Sequence, residues 1–145
     1  MVNATMMKFN YPNSLLHEYE SWVVLLRPDQ VTAGSMVLAC KLEATAMSEV
    51  PPSAFAELSK ATSDLEGVLR KVFAYDKINY LLLMMVDKHV HFDVLPRYST
   101  LRDVFGVTFV DASWPKPPDL SKVVDITAEQ YKQILTQLKD NWPSS

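Results

Sequence analysis

The chain has 145 residues, of which 48% are hydrophobic and 21% charged, and carries a net charge of −3. This is the length of one ordinary domain with enough apolar material for a single core, and the composition excludes a disordered chain. The weakly acidic balance excludes a broad basic footprint for nucleic acid but leaves room for a small anionic ligand held by local groups.

Met1 to Tyr11 is polar and lacks the apolar run of a signal peptide. The longest apolar run, Tyr80 to Val86, is too short to span a bilayer. No membrane partner is expected, and a cytoplasmic location follows as the default. His17 falls in an N-terminal helix or loop. Ser21 to Leu26 is rich in β-formers and stops at Arg27-Pro28-Asp29, and Met36 to Lys41 is a second apolar run. With Ala33-Gly34-Ser35 between them, they read as neighbouring strands joined by a turn. Cys40 is the only cysteine, which excludes an intrachain disulfide or a cysteine-based zinc site; its apolar neighbours make it a small core residue.

Helical spacing follows. Phe55, Leu58, Thr62, Leu65, Leu69 and Val72 step by three and four, and Pro51-Pro52-Ser53 supplies the start. Ile78 to Val86 reads as a third strand and His89 to Leu95 as a fourth, joined through Asp87-Lys88 as a tight hairpin. Three prolines make Trp114 to Asp119 irregular. A short final helix opens at a Thr127–Gln130 capping box and presents Tyr131, Ile134, Leu135 and Leu138 on one face. Helices segregated from an antiparallel sheet make an α+β domain. The expected layout is one domain over residues 1–145, with a core at about 21–98 and an extension at 99–145.

The stretch His89-Val90-His91-Phe92-Asp93-Val94-Leu95-Pro96-Arg97 carries the chemistry. On a strand, His89, His91 and Asp93 share one face, with Val90, Phe92 and Val94 behind them. A structural role for such a row is one reading. A metal site is a second, but His89 and Asp93 would stand about 13 Å apart at Cα, too far for one ion. Completing a two-histidine-one-carboxylate set would require His17. Nucleophilic catalysis on phosphate is the third. A histidine whose Nδ1 is tied to a carbonyl presents an Nε2 lone pair, and His91, flanked by polar groups, is the natural nucleophile.

This strand resembles the signature of the histidine triad (HIT) superfamily, His-φ-His-φ-His-φ-φ, often followed by Pro-Arg. The likeness extends back through Asn79 to Val86, the long helix and the Ala33-Gly34-Ser35 turn. Trp114-Pro115 and Pro117-Pro118-Asp119-Leu120 are similar to a bacterial subgroup of small HIT hydrolases. The resemblance implies a homodimeric α+β fold that binds nucleoside phosphates and hydrolyses or transfers a nucleotidyl group, with no required metal or cofactor. It implies that His91 is the nucleophile and that His89 holds it through its backbone carbonyl. Ser35 falls where an auxiliary phosphate-binding histidine often sits, and Arg27, or alternatively Gln30, where a ribose contact is common. Asn79 is a candidate nucleotide contact and Trp114 a candidate base-stacking residue. The departure is Asp93 in place of the third histidine. An ionised carboxylate accepts hydrogen bonds and donates none, and beside a phosphate oxyanion it costs on the order of 1–4 kcal/mol near a surface. Pairing of Asp93 with Arg97 or Lys88, or a cationic leaving group, would relieve that cost. A non-catalytic nucleotide-binding or dimeric interaction protein is the alternative expectation.

Overall fold

The computed structural model describes residues 2–144. In chain order the elements are α1 (Ala4–Lys8), β1 (Leu15–Glu18), β2 (Trp22–Leu26) and β3 (Met36–Cys40). After a 3₁₀ turn (Met47–Glu49) come α2 (Pro52–Phe73), β4 (Lys77–Leu82), β5 (His91–Arg97), β6 (Arg102–Val104), β7 (Val107–Phe109) and α3 (Ala128–Asp140). The first five strands form one antiparallel sheet in the order β1-β2-β3-β5-β4, and β6 and β7 form a separate hairpin. The expected α+β class holds. No described helix is long and apolar enough to cross a membrane.

β2 and β3 are buried at every position, which is why their sequences are continuous apolar runs rather than alternations. One face of the sheet packs Trp22, Val24, Leu26, Met36 and Leu38 against Leu65 and Leu69 of α2 and Ile134 and Leu138 of α3. The opposite face packs Val23, Leu25, Val37 and Ala39 under Met6 and Phe9 from the N-terminal segment. The domain core therefore begins well before residue 21. The extension also belongs to it, since Ile134 and Leu138 are fully buried. The capping box at Thr127 and Gln130 is present.

Several local expectations are corrected. Residues 15–18 form a strand, so His17 is neither helical nor in a loop; its ring stacks on Trp142 at 5.8 Å. The buried stripe of α2 runs through Ala54, Ala61, Leu65, Val68, Leu69 and Phe73, turned away from Phe55, which is exposed. The apolar band of this helix is wider than the core it covers, and its surplus edge lies along β4. The third strand ends at Leu82, and residues 83–90 form a loop rather than a two-residue turn. The β6–β7 hairpin turns at Phe105-Gly106, both with positive φ (48° and 83°), the backbone of a tight primed turn.

Gly34 ends the β2–β3 connection with φ +82°, and a Cβ there would sit 2.7 Å from Leu69 Cδ2 and 2.9 Å from Phe73 Cε2. The turn is thus pressed directly onto α2, and only glycine fits it.

Candidate active site

Strand register assembles the site. Val23, Ala39 and His91 lie in one row across β2, β3 and β5, and Leu25, Val37 and Asp93 in the next. Arg27, whose N–H donates to Ser35 O, continues the same face beyond β2. Leu81 and Asn79 of β4 continue it on the other side, opposite Asp93 and Leu95. His91 and Asp93 therefore share the face away from α2, but His89 precedes the strand and leaves the row.

His89 instead acts through its backbone. Its carbonyl accepts from His91 Nδ1 at 2.8 Å. A carbonyl only accepts, so Nδ1 carries the proton and the lone pair of the neutral ring lies at Nε2. Nε2 of His91 makes no hydrogen bond to any described residue; the residue is only 2% exposed, but no described side-chain nitrogen or oxygen is both sealed from solvent and unbonded, so Nε2 keeps a share of that small surface. The His89 ring is held at both nitrogens: Nε2 lies 2.7 Å from Glu43 Oε2 and Nδ1 lies 3.1 Å from Thr5 Oγ1. Because the carboxylate accepts, Nε2 is the protonated nitrogen, and in the neutral ring Nδ1 accepts from the Thr5 hydroxyl.

The N-terminal segment forms a roof. Asn3 caps α1 by accepting from Met6 N–H at 2.9 Å and donates to the Cys40 carbonyl at 2.9 Å. Thr5 Oγ1 also accepts from His89 N–H, and Lys8 meets Asp87 at 3.4 Å. Phe9 lies over His91 with ring centroids 5.6 Å apart.

Asp93 is neutralised by Arg27, not by Arg97 or Lys88. Arg27 Nε donates to Asp93 Oδ1 at 3.3 Å, with the two side chains 13% and 5% exposed. Arg97 is engaged elsewhere. It makes a two-pronged contact to Asp111, Nε to Oδ2 at 2.6 Å and Nη2 to Oδ1 at 3.0 Å, and donates from Nη1 to Asn79 Oδ1 at 2.8 Å. Burial pushes the Asp111 carboxyl up, but the Arg97 ion pair and backbone N–H bonds from Tyr98 and Ser113 outweigh it and hold the carboxyl below its ordinary value.

Ser35 and Gln30 are turn residues. The Ser35 hydroxyl is buried, accepting from Thr32 N–H at 2.9 Å and donating to Thr32 O at 2.8 Å. Gln30 donates to the carbonyls of Arg27 and Ser35 and accepts from Gly34 N–H. Their polar groups brace the β2–β3 connection instead of facing a ligand.

Beside Asp93 a cleft of about 800 Å³ opens along β4, lined by Lys77, Asn79, Leu81 and Arg97 and walled by the segment from Trp114 to Pro118. Among the described residues no group of three His, Cys, Asp or Glu side chains is arranged to hold a metal ion.

A histidine triad protein from Bradyrhizobium japonicum superposes with a TM-score of 0.76 at 15% identity, over 98% of this chain and 97% of that one. The chain has the histidine triad fold. A second histidine triad protein, from Sinorhizobium meliloti, matches with a TM-score of 0.75 at 17% identity, covering 97% of this chain and 96% of its own. A histidine triad nucleotide-binding protein from Sulfolobus tokodaii matches with 0.68 at 15% identity, covering 94% and 88%. No protein-family model matches the sequence, and no curated protein does.

Within the histidine triad fold, the contacts that sequence reasoning missed are Thr5, Phe9, Glu43 and Asp111. None carries a local signal. Thr5 and Glu43 reach His89 from 84 and 46 residues away, and Asp111 lies in an irregular stretch whose acid gains meaning only beside Arg97.

Proposed function

We propose that this protein hydrolyses or transfers a nucleotidyl group through a covalent intermediate on His91. The observation that carries the reading is the Nδ1–H bond from His91 to the His89 carbonyl, which leaves Nε2 as the nucleophilic atom of a neutral ring. Nε2 attacks the α-phosphorus, and the bond to the leaving group breaks with the electron pair departing on that group. Water or another acceptor then attacks phosphorus, and the P–N bond breaks with its electron pair returning to Nε2. Asp93 still donates no hydrogen bond, but in this reading the Arg27 guanidinium offsets its charge.

In this reading the protein works as a cytoplasmic homodimer. Support for the second copy comes from the free edge of β4, the exposed Phe55, and the groove beside it that Leu58, Thr62, Tyr80 and Phe92 line. Sedimentation of the wild type and of Leu58→Glu tests this part; a wild-type monomer overturns it.

The chemistry is tested by incubation with an adenosine phosphoramidate and a diadenosine polyphosphate, with mass spectrometry for AMP on His91. Turnover lost in His91→Ala supports the reading. The second reading, a nucleotide binder without catalysis, is favoured by the Phe9 ring over a 2% exposed His91. It is supported if AMP raises the melting temperature while neither compound is turned over.

A further inference from the structure

We infer that residues 3–9 are a lid that swings off His91 before a nucleotide reaches it, and that the His89 ring is its latch, an inference that rests on the reaction proposed for His91. Access is the first argument. Attack requires a phosphorus atom about 3–3.5 Å from Nε2, yet His91 lies almost wholly buried beneath the Phe9 ring. The neighbouring rows of the same face, Val23 with Ala39 and Leu25 with Val37, are covered by Met6 and Phe9. A phosphate and its sugar cannot stand where this roof lies.

The latch is the second. The proposed chemistry uses the His89 carbonyl, which orients His91, and leaves its ring without a task. That ring ties the roof to the sheet. Nε2 donates to Glu43 at 2.7 Å, which makes Nδ1 the acceptor for the Thr5 hydroxyl at 3.1 Å. The His89 N–H donates to the same Thr5 oxygen at 3.2 Å. One roof side chain thus holds two groups of the residue whose carbonyl holds the nucleophile.

Separability is the third. α1 has five residues, far below the roughly 12–15 that an isolated helix requires, so docking alone orders it. Its outer side is solvated, with Met7 exposed. Its polar anchors cluster where β3 ends and β5 begins: Asn3 on the Cys40 and Leu42 carbonyls, Thr5 on His89, and Lys8 on Asp87. At the other end the chain reverses at Asn10, whose φ is 67°. Ser14 fixes this pivot, its N–H donating to Asn10 O at 3.1 Å and its hydroxyl to Phe9 O at 2.6 Å. Residues 3–8 swing about it and the Phe9 ring turns out with them, and no strand of the sheet is unpaired.

Hydrogen exchange, His91 modification and AMP binding test this together. In the wild type the Met7 and Phe9 amides, bonded within the roof, exchange faster than those of β2 and β3, which open only with the whole domain. Thr5→Val removes the latch hydroxyl and speeds the roof amides about three- to tenfold, the value of one hydrogen bond, while β2 and β3 stay protected. Carbethoxylation of His91 rises by the same factor. AMP binds about three- to tenfold more tightly to Thr5→Val, because affinity scales with the fraction of open molecules; a merely structural contact would not tighten a ligand on removal. Asn3→Ala, which releases the roof at Cys40 instead, gives the same three changes. Roof amides no faster than those of β2 and β3, His91 modification that does not follow roof exchange, or AMP binding unchanged or weakened in both variants overturns the lid. Turnover of adenosine phosphoramidate by a protein with such a closed roof keeps the reaction and removes the lid. Roof exchange and His91 modification that rise together, with no millimolar AMP bound by any of the proteins, keep the lid and remove the nucleotide reading.

Discussion

Arg27 and Asp93 meet across the strand that separates them, Nε to Oδ1 at 3.3 Å, on a face where both are shielded from water. This pair sets the charge of the site. Removing one partner leaves an uncompensated buried charge, which costs about 3–5 kcal/mol. Arg27→Ala is therefore expected to lower unfolding free energy by about that much in denaturant titration. Arg27→Ala/Asp93→Asn recovers most of it, because the orphaned charge is gone. Additive single effects would show that the two groups do not interact.

The Arg97–Asp111 pair predicts the acid limb of stability. The folded carboxyl lies below its ordinary 3.8, so its contribution is complete above that value and is lost as pH falls below it toward the folded value. Asp111→Asn flattens the stability profile below about pH 4, and Asp111→Ala costs about 3–5 kcal/mol by orphaning a buried guanidinium. Melting temperatures between pH 2 and 7 provide the measurement.

Gly34→Ala combines positive φ with a clash on Leu69 and Phe73. A destabilisation of about 1–3 kcal/mol is expected from the overpacking. Adding Leu69→Ala, which vacates the clashing Cδ2, should make the Gly34 substitution cost less than it does alone. A cost that stays the same in that background would assign it to Phe73 and to backbone strain rather than to Leu69.

Phe9→Ala removes the ring that covers His91. Loss of a buried aromatic side chain costs about 3–5 kcal/mol, yet the same change should speed carbethoxylation of Nε2, read by mass spectrometry at His91. An unchanged modification rate would mean that Phe9 does not limit access.

The sequence made visible the elements whose signals are local and strong. β2, β3, the long helix, the capping box at Thr127 and the shared face of His91 and Asp93 were all readable from spacing. Elements that depend on distant partners were not. Leu15–Glu18 is a strand because Val23–Leu25 offers it an edge, not because four residues show alternation. Placing His89 in the strand missed that its ring is recruited by Thr5 and Glu43, while the strand itself begins at His91. Ser35 and Gln30 looked like ligand contacts by position, but the turn needed their hydrogen bonds. The partner of Asp93 could not be read from the chain at all, since Arg27 stands 66 residues away and faces it only through the register of β3.

The roof over His91 also has a place in the order of folding. Asn3 docks on Cys40 and Leu42, and Thr5 docks on His89. Asn3 and Thr5 therefore have nothing to bind until segments made later in the chain are in place. Contacts of such long sequence separation form late, after the local ones have closed most of the chain. A folding intermediate with the sheet in place and residues 3–9 undocked would show a bare imidazole on an apolar floor, and the final closing step of folding would be the one that hides it.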